Sequence, residues 1–63
     1  MAKRLTDQRD ELLRDIDRDI RYVNDAVTVG NAKEARRFAE TLRRDTVDLL
    51  DVLSKIEIKE AKA

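Results

Sequence analysis

The side chains able to do covalent chemistry are sparse in this sequence. Histidine and cysteine are absent, Ser54 is the only serine and Tyr22 the only tyrosine. No nucleophile can therefore be set beside a base, which argues against an ordinary hydrolase or transferase. Carboxylates are plentiful, 14 in all, and two of them can serve as acid and base when their surroundings drive their pKa values apart. Most, however, stand beside arginines: Asp10 with Arg14, and Asp17 with Arg21, have the i, i+4 spacing of surface ion pairs on a helix. Asp19 and Asp45 lie at the margins of the apolar pattern, where boundary salt bridges are expected in preference to a bound cation. Carboxylate metal centres in helical bundles use inward glutamates with Glu-x-x-His motifs, and this chain has no such motif. The expectation is a non-enzymatic protein with no catalytic residues, cofactor, metal or small-molecule substrate.

The other chemistry on offer is anion binding. Between positions 33 and 44 stand Lys33, Arg36, Arg37, Arg43 and Arg44 against only Glu34 and Glu40. Arg36 and Arg43 are seven residues apart, as are Arg37 and Arg44, so a helix arranges them as two ridges flanking its outer face. A planar guanidinium donates two parallel hydrogen bonds to phosphate, which makes these four arginines the candidate nucleic-acid contacts. Against that reading, acidic residues interleave the cluster, and Tyr22 is the only aromatic expected to be exposed for stacking on a base. Lysine plus arginine equals aspartate plus glutamate, so the formal net charge is zero; a chain built mainly to coat nucleic acid or an anionic membrane would be basic.

These side chains must be positioned by helices. The only glycine, Gly30, sits near the midpoint of the chain, with one long amphipathic segment on either side. Before it, Leu13, Ile16, Ile20, Val23 and Val27 alternate spacings of three and four, and Leu5 and Leu12 extend the stripe. After it, Ala35, Ala39, Leu42, Thr46, Leu49, Leu53 and Ile56 keep the same rhythm, widened by Phe38, Leu50 and Val52. The expected architecture is all-α: a helix over about 5–29, a turn at 30–31, a helix over about 32–57 and a frayed tail at 58–63. Thr6 is the expected N-cap of the first helix, although Leu5 already fits its stripe. Gly30 supplies the left-handed residue that ends that helix, and Asn31 begins the next in a capping box with Glu34. So short a connection makes the helices antiparallel neighbours, with Ile20 opposite Leu42 and Leu5 opposite Ile56.

A domain of 63 residues buries little surface, and without disulfide or zinc ligands oligomerisation is the available reinforcement. The second stripe is wider than one partner helix covers. Two hairpins pairing as a homodimeric four-helix bundle would cover it, with Leu12, Phe38, Leu50, Val52 and Leu53 as the dimer or partner interface. In length and plan the chain resembles the plasmid-encoded RNA-binding proteins of the Rop type, dimers of helical hairpins that clasp paired RNA loops; the likeness is one of fold plan. It implies a Rop-like RNA- or DNA-binding regulator as the alternative to the leading reading, a protein-protein interaction module. Met1 to Arg4 carry positive charge, yet no apolar run follows and no stretch approaches a membrane span. A cytoplasmic protein is expected.

Overall fold

The computed structural model describes residues 3–62, which form two helices, α1 (Leu5–Thr28) and α2 (Ala32–Ala61), folded back on each other as an all-helical hairpin. Its Cα extents are 49 × 19 × 15 Å. The long dimension is that of α2 itself, since 30 residues rise ~45 Å at 1.5 Å per residue. No described helix is long and apolar enough to cross a membrane.

The turn carries the most specific local chemistry. Gly30 has φ 75°, and its N–H donates to the carbonyl of Val27 at 3.0 Å while that of Asn31 donates to Ala26 at 2.8 Å. These paired bonds are a Schellman motif, which needs a left-handed residue at the glycine. Asn31 then caps α2, its side-chain oxygen accepting from the Glu34 N–H at 3.2 Å. The reciprocal half of the capping box is not made. The Asn31 N–H is already committed to Ala26, and the Glu34 carboxylate lies instead 3.8 Å from Arg37.

The outer ends differ from expectation. α1 begins at Leu5, so Thr6 lies within the helix; the cap position is Arg4, extended and without a side-chain cap bond. The Gln8 amide instead closes the entry, donating to the Lys3 carbonyl at 2.9 Å. α2 runs on to Ala61, past the end expected near 57. Residues 57–61 contain neither glycine nor proline, and Lys59 in the last turn complements the helix dipole. Of the expected frayed tail, Ala63 lies outside the described residues.

The seam between the helices is rotated from the expected one. Ala26 and Ala35, the buried alanines on either side of the turn, are 7% and 9% exposed. A connection this short restricts how far the helices can roll, so the buried pair flanking the turn marks which face of each meets the neighbour. Counting heptads back from Ala26 gives Asp19, Leu12 and Leu5, with Ile16 and Val23 beside them. Counting forward from Ala35 gives Leu42, Leu49 and Ile56, interleaved with Phe38, Asp45 and Val52. All of these are buried or half-buried. Leu13, Ile20 and Val27, expected in the seam, are 48%, 44% and 63% exposed. The expected juxtaposition of Ile20 with Leu42 gives way to Asp19 in the seam.

Candidate functional site

Three features could carry function: a carboxylate pair within the seam, an apolar face on one side of the hairpin, and the arginine ridges.

The seam buries only three apolar residues below a tenth of their surface, Ala26, Ala35 and Val52, and with them two charged ones, Asp19 and Asp45. Asp19 is 2% exposed and Asp45 is 8% exposed. Among the described residues neither forms a salt bridge, contrary to the boundary ion pairs expected of them, although Arg18 and Arg44 stand nearby. The Arg18 guanidinium is held 3.4 Å from Asp15. Hydrogen bonding to Asp19, burial and the Asp19 charge together hold the Asp45 carboxyl above its ordinary range, against the smaller opposing pull of Arg44 and Arg18. The Asp19 Oδ2 atom is buried and has no hydrogen-bond partner among the described residues. The sequence did contain a signal for this pair: Asp19 completes the seven-residue column Leu5, Leu12, Asp19, Ala26. It is visible only once Ala26 is known to set the register.

The cleft between the helices has two unlike sides. On one, an open cavity of about 550 Å³ is lined by Lys3, Gln8, Glu11, Leu12, Asp48 and Val52, among others. Further along the same side, Arg18, Asp19, Tyr22, Arg37, Phe38 and Thr41 line one of about 430 Å³. The Tyr22 and Phe38 rings meet there with centroids 5.0 Å apart, a tilted aromatic contact. At 100° per residue, Leu13, Ile20 and Val27 fall on the opposite side of α1 from Gln8, Glu11 and Arg18, and Leu53 falls on the opposite side of α2 from Thr41 and Asp48. That second side is the apolar one. Its edges carry Asp10 and Asp17 on α1 and Arg36 and Arg43 on α2.

The five residues expected at an interface are dispersed among these environments. Val52 is 5% exposed and packs inside the hairpin, and Phe38 is half-buried against Tyr22, so neither is left over for a second molecule as expected. Leu12 is half-buried in the seam. Leu53 and Leu50 are exposed at 43% and 66%. The cause is the rotation of the seam, which draws Val52 inward and turns Leu13, Ile20 and Val27 out.

The arginine ridges are partly neutralised. Arg36 pairs with Glu40 at 3.4 Å and Arg37 with Glu34 at 3.8 Å. On α1, Asp17 and Arg21 pair at 3.3 Å as their spacing implies, but Asp10 takes Arg9 at 3.0 Å and not Arg14. Arg43 and Arg44 make no ion pair among the described residues, and no group of three or more potential metal-ligating side chains is present among them.

Comparison with known proteins finds no matching family model, no matching curated protein and no matching solved structure. The functional reading rests on the geometry.

Proposed function

We propose that this protein is a helical interaction module that works as a homodimer, two hairpins closing into a four-helix bundle that presents its outer faces to a protein partner as a regulator, adaptor or assembly subunit. The observation that carries the reading is the apolar face: Leu13, Ile20 and Val27 recur every seven residues on α1, with Leu53 across the cleft, all at least 43% exposed. Opposed to it, only two alanines and one valine among the described apolar residues are below a tenth exposed, and the leucines and isoleucines of the seam are only half-buried, so a lone hairpin leaves much of its apolar surface in water. The broad side of the hairpin spans 49 by 19 Å between Cα atoms, comparable with the ~800 Å² per partner of a standard-size interface. A second copy is the occupant that the edges favour. A hairpin that lays its α2 along the other's α1 brings the Arg36 and Arg43 edge to the Asp10 and Asp17 edge.

Sedimentation equilibrium at micromolar concentration tests this directly. A dimer is expected for the native chain, and loss of association, with loss of helix, for Ile20→Asp. A native chain that sediments as a folded monomer refutes the reading.

The unpaired state of Arg43 and Arg44 favours a second reading, a Rop-like RNA- or DNA-binding regulator in which these two contact phosphate, with Arg36 and Arg37 released from their glutamates to join them. Nucleic acid that co-purifies at low salt, is released at high salt and is lost in Arg43→Glu/Arg44→Glu would select it. A stoichiometric protein partner that survives high salt would select the first.

A further inference from the structure

We propose that the two protomers pair with their turns at the same end, α2 of each hairpin lying antiparallel along α1 of its partner, so that the dimer has a turn end and an open end. This orientation rests on the homodimer proposed above and adds which of two symmetric packings it adopts. Two hairpins that meet by their apolar faces can be related by a two-fold axis along the helices or by one across them. The first brings α2 against the partner's α1 with both turns together. The second sets α1 on α1 and α2 on α2, with the turns at opposite ends.

Side-chain size separates the two. On the apolar side each helix presents one column at seven-residue spacing: Thr6, Leu13, Ile20 and Val27 on α1, and Ala32, Ala39, Thr46 and Leu53 on α2. All of them are exposed in the single hairpin. Height along the hairpin follows from counting residues away from Gly30, as Tyr22 and Phe38, eight before it and eight after, show by their ring contact. An axis along the helices leaves heights unchanged. To within one residue, Val27 then comes level with Ala32 of the partner, Ile20 with Ala39, Leu13 with Thr46 and Thr6 with Leu53. Each pairing sets a larger side chain against a smaller one, the alternation that lets facing layers interdigitate. An axis across the helices puts the large column of α1 on itself and the small column of α2 on itself, which crowds one side of the core and leaves the other hollow.

Charge favours the same packing. Asp17, on the edge of α1, is thirteen residues before Gly30, and Arg43, on the edge of α2, is thirteen after it. With the turns together each Arg43 stands level with Asp17 of the partner, twice per dimer. Arg43 is in no ion pair among the described residues, and Arg21 holds Asp17 through Oδ2 alone. Arg36 is held by Glu40 and comes level with the uncharged Asn24, so Arg43 with Asp17 is the deciding pair. Glu57 interrupts the basic edge only near the open end, where the α1 column ends in Thr6. The packing about an axis across the helices lays acidic edge on acidic edge and basic on basic, wherever along the length that axis sits, and like charges brought together cost affinity. With the turns together, the two stretches 33–44, each with five basic residues against two acidic, gather at one end of the dimer.

Charge reversal distinguishes the packings by sign. Asp17→Arg and Arg43→Asp, each checked for helix content by circular dichroism, are expected to weaken self-association in sedimentation equilibrium about tenfold in Kd, because two favourable pairs become two repulsive ones. An equimolar mixture of the two variants is expected to recover near-native association, since both pairs in the mixed dimer are again of opposite sign. With the turns at opposite ends, Asp17→Arg would instead relieve repulsion and tighten the dimer. The chain has no cysteine, so Val29→Cys, exposed beside the turn, accepts one spin label per protomer. Labels about 10–20 Å apart, one or two interhelical spacings, are expected; the opposed packing separates them by ~36 Å or more, the rise of the 24 residues of α1. A native dimer whose labels lie at the longer distance, or whose Asp17→Arg variant associates as tightly as the native chain, overturns the orientation and leaves the homodimer standing. So does a mixture that associates no better than its components. A native chain that sediments as a monomer removes both.

Discussion

Replacing Asp45 by asparagine changes one atom in the most unfavourable part of the seam. In the native chain the Asp45 carboxyl is held above its ordinary value of 3.8, first by hydrogen bonding to Asp19 and then by burial and the Asp19 charge. A carboxyl raised on folding binds its proton more tightly in the folded state. Stability therefore grows as pH falls through the raised pKa, and the gain is complete below 3.8; at neutral pH it is absent. This is the reverse of an ordinary salt-bridged aspartate. Asp45→Asn removes the charge at all pH values and offers an amide donor toward Asp19, whose Oδ2 is unpartnered. Satisfying a buried polar atom of this kind is worth about 1–3 kcal/mol. The hairpin is only 15 Å across its thinnest Cα dimension, so solvent lies close enough to screen the pair, and the lower end, about 1–2 kcal/mol, is the expected gain. For a domain of this size that is roughly 4–16 °C in Tm. The assay is thermal and urea unfolding followed by circular dichroism across acid to neutral pH, with a chelator present to remove divalent cations. Asp45→Asn should be the more stable protein at neutral pH, with the difference closing as pH falls through the raised Asp45 pKa and constant below 3.8. Taking that difference cancels the weakening of surface ion pairs common to both proteins. A destabilised variant at neutral pH, or a difference that does not vary with pH, refutes the reasoning.

Gly30→Ala is expected to cost about 1–2 kcal/mol in urea unfolding, from the left-handed backbone alone, because φ is 75° and a Cβ there meets nothing within 4 Å. Asn31→Ala removes the acceptor for the Glu34 N–H and should cost about 1 kcal/mol in the same measurement. Val52→Ala deletes two methyl groups from the most buried apolar side chain described and should cost about 1.5–2.5 kcal/mol, from ~0.8 kcal/mol per buried carbon plus the cavity left behind. Val47→Ala, 59% exposed on the outer side of α2, should change stability by less than ~0.5 kcal/mol.

The hairpin itself was legible in the residues. Apolar side chains three and four apart specify helix wherever they occur, and a single glycine followed by asparagine leaves one place for the chain to reverse. Gly30 and Asn31 act there through backbone conformation and neighbours within five residues, which is why local reasoning reached them. The rotation of each helix about its axis was not legible. In α1 the columns headed by Leu5 and by Leu13 are both largely apolar, and periodicity alone prefers the second because it contains Val27 and Ile20 where the first contains Ala26 and Asp19. The choice was made by tertiary structure. The Schellman bond from Asn31 to Ala26 and the burial of Ala26 and Ala35 set the roll at one end, and helix rigidity carries it to the other. That single rotation placed Val52 inside, turned Leu13, Ile20 and Val27 toward solvent, and brought Asp19 and Asp45 together. Pattern reads which residues can share a face of one helix. Which of two usable faces meets the neighbour depends on the three-dimensional closure of the turn.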